Sequence, residues 1–90
     1  MKTVYISISQ EKTGRRIRQM TAEKGYSVKD IQEAMGFEKP QAVYKWMSGK
    51  SLPSLDNLVI LSRILNTTID SILVIDGDIS VFRVLKGAAA

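Results

Sequence analysis

The chain contains no cysteine and no histidine. Without thiols there is no disulfide framework, no thiolate nucleophile and no cysteine metal site; without imidazole the commonest general base and a usual zinc ligand are missing too. The acids do not make up for this. Glu33, Asp56, Asp70, Asp76 and Asp78 fall in no motif that pairs a carboxylate with a base, completes a ligand set or joins a glycine-rich phosphate cradle. The expectation is a protein that is not an enzyme and uses neither cofactor nor metal. Long apolar runs are absent as well, and the start lacks the basic-then-apolar pattern of a signal peptide, so a soluble cytoplasmic protein is expected. Aromatic residues are few: one Trp, three Tyr and two Phe in 90 residues. A chain of this length forms one domain and hides only about 60 to 65% of its unfolded surface, so each large apolar side chain counts.

Charge is present but unevenly spread. Residues 1–50 carry ten Lys/Arg against five Asp/Glu, whereas residues 51–90 carry three against four, within a formal total of +4. A basic half of this kind suits a polyanion, because counterions released from a phosphate backbone supply most sequence-independent affinity. A plain solvated surface produces the same asymmetry.

Local patterns divide the chain into a strand, five helices and a second strand. Thr3 to Ser9 alternates β-branched and polar residues with the period of a half-buried strand. Glu11 to Lys24 places Ile17 and Met20 at helical spacing, with Gly25 as its stop. Ser27 caps a second helix, Val28 to Met35, with Asp30 in its first turn and Ile31, Ala34 and Met35 facing inward; Gly36 ends it. A third helix, 39–48, has Pro40 in its first turn and closes at Gly49. Ser54 caps a fourth with an apolar stripe of Leu55, Leu58, Leu61 and Leu65, and Thr68 caps a short fifth from Ile69 to about Val74. Asp76-Gly77-Asp78 reads as a turn before a strand over Ile79 to Leu85. Two lone strands are marginal in water, so the terminal strands are expected to pair, within the chain or across a dimer. Gly87 to Ala90 looks like an appended tail and carries no part of the fold. The expected organisation is an arm at 1–10, a helical domain at 11–75 and a strand at 76–86.

The third helix separates its faces most clearly. Val43, Trp46 and Met47 fall at i, i+3 and i+4, one stripe suited to a core, while Gln41, Ala42, Tyr44, Lys45 and Ser48 occupy the rest of the circumference. Trp46 is read as core and not as an intercalating wedge.

Three stretches, Gly25 to Phe37, Val43 to Gly49 and Leu52 to Leu58, together resemble the Cro/repressor helix-turn-helix family, also called the XRE family, over roughly Thr13 to Leu73. The resemblance implies a mainly α, lambda-repressor-like bundle of five helices. In it, helix two crosses the DNA backbone and helix three lies in the major groove. It also implies a regulator of transcription, a repressor, in the cytoplasm of a bacterium or phage host and associated with the nucleoid. The implied partner is double-stranded DNA carrying an inverted repeat, bound by a homodimer. The family's base-reading positions fall on Pro40, Gln41, Ala42, Tyr44 and Lys45. Of these, Gln41 suits the N6/N7 edge of adenine, Lys45 the O6/N7 edge of guanine and Ala42 a thymine methyl. Phosphate contacts fall on Lys29, Ser48, Gly49 and Lys50, with Arg15, Arg16 and Arg18 adding to the field. Lys39 stands where a Ser or Thr cap normally precedes Pro40, which leaves the helix-three amides to a DNA phosphate or to Glu38.

The chain also departs from that pattern. Where many relatives clamp the backbone with Gln just after the helix-two cap, this chain has Val28, and its turn before helix three is one residue longer than the commonest form. An Arg late in helix one paired with a Glu in helix three is replaced by Thr21 and Met47, a joint change that converts an ionic contact to an apolar one. Val28 and the strand-forming ends leave open a second expectation, a protein-binding module on the same fold, such as an antitoxin-like partner.

Overall fold

A computed structural model describes residues 6–77. The order is β1 (Ile6–Ile8), α1 (Gln10–Glu23), α2 (Val28–Met35), α3 (Gln41–Met47), α4 (Leu55–Ile64), α5 (Ile69–Ile72) and β2 (Ile75–Gly77). Serine and threonine set most helix starts. Ser9, Ser27, Ser54 and Thr68 each accept a first-turn amide, from Lys12, Asp30, Asn57 and Ser71. At α2 the bond is reciprocal: the Asp30 carboxylate accepts the Ser27 N–H at 2.8 Å, and Ser27 Oγ accepts the Asp30 N–H at 3.1 Å. Hydrogen bonding to the carboxylate from the Ser27 backbone N–H, and next from the Ser27 side chain, holds the Asp30 carboxyl below the usual aspartate range; desolvation opposes this and the charge of Lys29 adds to it.

The core is one cluster drawn from all five helices: Ile17, Ile31, Met35, Val43, Trp46, Met47, Leu58, Leu61, Leu65 and Ile72. Its tightest seam lies between α1 and the end of α3. A Cβ on Gly14 would sit 2.3 Å from the Trp46 carbonyl oxygen and 2.9 Å from that of Met47, so only glycine admits this approach. The end of the bundle is tied to α1 by polar bonds. Thr13, fully buried, accepts the Val74 N–H on its hydroxyl at 3.0 Å, and Arg16 donates to the Ser71 carbonyl at 2.8 Å.

Several expected boundaries and faces are corrected. Ala34 is exposed. At about 100° per residue it falls outside the arc centred on Ile31 and Met35. Leu55 is 76% exposed, because a three-residue spacing drifts about 60° per step from a straight stripe; the inward face is Leu58, Leu61, Ser62 and Leu65. Helix three begins at Gln41 and not at residue 39, and Pro40 serves as its cap, since a residue preceding proline is pushed out of helical conformation. Helix five stops at Ile72, with Leu73 already extended, as Val74 leaves to bond Thr13 and the Ser9 amide. Ser9 is a helix cap and not strand.

Asp76 and Gly77 lie in β2 and not in a turn. They pair antiparallel with β1 within the chain, in the register Ile6↔Gly77, Ser7↔Asp76 and Ile8↔Ile75, and Lys12 reaches Asp76 at 3.8 Å. Tertiary pairing overrides the turn propensity of Asp-Gly here. The strand expected over Ile79 to Leu85, and residues 3–5 of the first strand, lie outside the described residues.

Candidate nucleic-acid interface

The surface of interest is α3 with the turn that precedes it and the loop after it. Three buried side chains hold the helix down. Val43 is fully buried, and Trp46 and Met47 nearly so. Phe37 places its ring edge-to-face on Trp46, with centroids 5.7 Å apart, so the turn and the helix share one aromatic anchor. The opposite side is open. Gln41 and Lys45 are exposed and Tyr44 is 56% exposed, a row of amide, phenol and ammonium along one helix face. Ala42 is half-buried and packs against the core, so only part of its methyl faces outward. Pro40 is half-buried at the helix cap and offers no donor.

The phosphate candidates divide by what their groups already do. Lys29, Lys39 and Lys50 are exposed, and among the described residues none of the three forms an ion pair. Ser48 donates its hydroxyl to the Lys45 carbonyl at 3.2 Å, and the Gly49 amide donates to the Trp46 carbonyl at 3.1 Å. Both donors are therefore used in ending the helix. Gly49 has a left-handed φ of 79° and abuts the Glu11 backbone, where a Cβ would come within 2.7 Å of the Glu11 Cα. Arg15 is paired with Glu11 at 2.5 Å, an exposed i,i+4 contact that spends part of its charge. Arg16 turns away to α5, where it holds the Ser71 carbonyl. Arg18 lines a depression of about 300 Å³ together with Thr21, Ala22, Tyr26, Val28, Tyr44 and Met47.

That depression contains both members of the substituted pair. Thr21 and Met47 are buried, and the Thr21 hydroxyl donates to the Ile17 carbonyl at 2.7 Å within its own helix, leaving its methyl for packing. Among the described residues no side chain caps α3; Glu38 does not curl back on it, and its carbonyl instead accepts a bond from Gln32 at 3.1 Å. Neither Gln32 nor Gly14 is singled out by the residue pattern. For Gly14 a signal exists, since a glycine inside a helical pattern marks a close backbone approach. For Gln32 there is none, because its role depends on the path of the turn.

The helix-turn-helix family model matches residues 15–72. This span takes in α2, the turn and α3 entirely. The chain belongs to the XRE-type helix-turn-helix family. Membership makes it a DNA-binding transcription regulator by class. Solved structures share the bundle. The restriction-modification controller protein C.AhdI from Aeromonas hydrophila is 24% identical, with a TM-score of 0.62 over 68% of this chain and 91% of its own. The clp gene regulator ClgR from Corynebacterium glutamicum is 20% identical, with a TM-score of 0.66 over 73% and 69%. The biofilm master regulator SinR, solved in complex with DNA, is 28% identical, with a TM-score of 0.61 over 67% and 98%. No curated protein shows significant similarity to this sequence. Among the described residues of this XRE-type protein, no helix is long and apolar enough to cross a membrane.

Proposed function

We propose that the protein is a sequence-specific repressor that binds double-stranded DNA as a homodimer, with α3 of each copy in the major groove of one half of an inverted repeat. The carrying observation is the division of α3 into a buried side, Val43, Trp46 and Met47, and an exposed side, Gln41, Tyr44 and Lys45. A rod fixed on one face presents the other without reorganising. Gln41 and Lys45 read base edges, each worth about 1 to 3 kcal/mol of discrimination, while Lys29, Lys39 and Lys50 hold phosphates. Ala42 and Tyr44 make apolar contact beside them. Ser48, Gly49 and Arg15 contribute less, since their polar groups are engaged within the chain. The role is binding and not catalysis, consistent with a chain that lacks histidine and cysteine.

Selection from random duplex DNA tests this proposal. It should return an inverted repeat with half-sites about one helical turn apart, and log affinity should fall with log salt by about 0.9 per phosphate neutralised. A second reading, a protein-binding module of the antitoxin-like kind, draws on the exposed apolar residues Leu55, Val59 and Ile60 of α4 and on Val28 at the clamp position. Failure of any duplex to enrich favours that reading.

A further inference from the structure

We infer that Gln32 is a positioning residue that sets the pitch at which α3 presents Gln41 and its neighbours, an inference that rests on the proposed reading of DNA by α3. Gln32 lies in the middle of α2, yet it grips the turn at two levels. Its backbone carbonyl accepts the Phe37 N–H at 3.0 Å. Its side-chain Nε2 donates to the Phe37 carbonyl at 3.3 Å and to the Glu38 carbonyl at 3.1 Å. One amide therefore bridges two successive peptide units, as its two hydrogens allow.

Beyond this bridge the backbone has few other ties. Among the described residues, the backbone amides of Glu38 and Lys39 make no backbone hydrogen bond, and α3 has no side-chain cap. The first bond of the helix runs from the Tyr44 N–H to the Pro40 carbonyl at 3.1 Å. Between Phe37, anchored on Trp46, and that bond, the chain's polar tie to α2 is, among the described residues, the Gln32 amide. Gln41 is only three residues beyond Glu38. A change of path at Glu38 is thus passed to the first turn of α3, where base contacts tolerate little misplacement, whereas the buried end at Trp46 and Met47 stays put.

The test uses Gln32→Met, close in length and helix propensity but unable to donate, and Gln32→Glu, which sets a carboxylate against the two carbonyls. Both are compared with the full chain on the selected operator and on its single-base variants. Discrimination at the base step assigned to Gln41 should fall about tenfold, with the salt slope unchanged and the urea midpoint little moved. The double variant Gln32→Met with Gln41→Ala should lose no more at that step than Gln41→Ala alone, because the two act through one contact. Wild-type discrimination in Gln32→Met, or additive losses in the double variant, overturns the inference.

If the wild-type chain enriches no duplex, the DNA-reading proposal fails, and amide exchange in the free protein then decides the positioning role. The Tyr44 amide should exchange about five- to tenfold faster in Gln32→Met, the scale of one lost hydrogen bond, while the Leu65 amide, bonded to the Leu61 carbonyl, keeps its rate. An unchanged Tyr44 rate overturns it.

Discussion

Replacing Gly14 with alanine sets two opposing effects against each other. Gly14 lies in the middle of α1, where intrinsic helix propensity alone favours alanine by about 1 kcal/mol. Packing opposes it. The added Cβ meets the Trp46 carbonyl oxygen at 2.3 Å, the Met47 carbonyl oxygen at 2.9 Å and the Gly49 nitrogen at 3.0 Å. All three are backbone atoms, so no rotamer change relieves the clash, and α1 must move about 1 Å from α3 to restore ordinary contact. Inserting a methyl into a packed seam costs about 1 to 3 kcal/mol, and rigid surroundings put this site at the upper end. The net expectation is destabilisation by about 2 kcal/mol, against a total of roughly 5 to 10 for a domain of this size. Urea unfolding with linear extrapolation measures it, and the melting temperature should drop by about 8 to 16 °C. Because the contact is with the end of α3, operator affinity should fall as well. A Gly14→Ala protein as stable as wild type, or more so, refutes the claim that the α1–α3 seam is closed at this point.

Three further outcomes are expected. Asp30 is held below the usual aspartate range, so the stability it gives α2 is full above the unfolded value of about 3.9 and is lost as pH falls through the lower folded value. The stability difference between wild type and Asp30→Asn should therefore shrink below about pH 4; a difference independent of pH would contradict the capping role. Thr13→Val keeps the shape but removes the acceptor for the part-buried Val74 N–H; it should cost about 1 to 3 kcal/mol in urea unfolding and speed exchange of the Val74 amide, and unchanged exchange would count against the tether. Lys50→Ala should weaken binding to all duplexes alike and flatten the salt slope by about one unit, and loss of preference at a single base step instead would reassign Lys50.

Much of the helical order is legible in the residues themselves. Ser27 with Asp30, Ser54 and Thr68 mark helix starts through local hydrogen bonds that need no tertiary context, and Gly25, Gly36 and Gly49 all adopt the left-handed φ that ends a helix or its following turn. The inward stripe of α3 is legible for the same reason, being a matter of 3.6-residue period. Features that escape the sequence are set by contacts distant along the chain. Asp76 and Gly77 have turn propensity but pair with β1; Val74 leaves its helix for Thr13; Ser9 reads as strand until α1 is built on it. At the interface, periodicity places Gln41, Tyr44 and Lys45 on the open face, but the commitment of Ser48, Gly49 and Arg15 to partners within the chain depends on geometry that spacing does not carry. Gln32 is the clearest case, since glutamine on a helix surface has no pattern that distinguishes a tether from a solvated side chain.

If the exposed face of α3 reads bases while its buried face holds the helix in place, removing one reading side chain must alter preference at one position and nowhere else. Binding of Gln41→Ala and wild type to every single-base variant of the selected operator decides the point. Preference should relax at one base step in each half-site, with the salt slope and the preferences elsewhere unchanged. An unaltered preference profile, or a uniform loss across all sequences, would contradict base reading by α3.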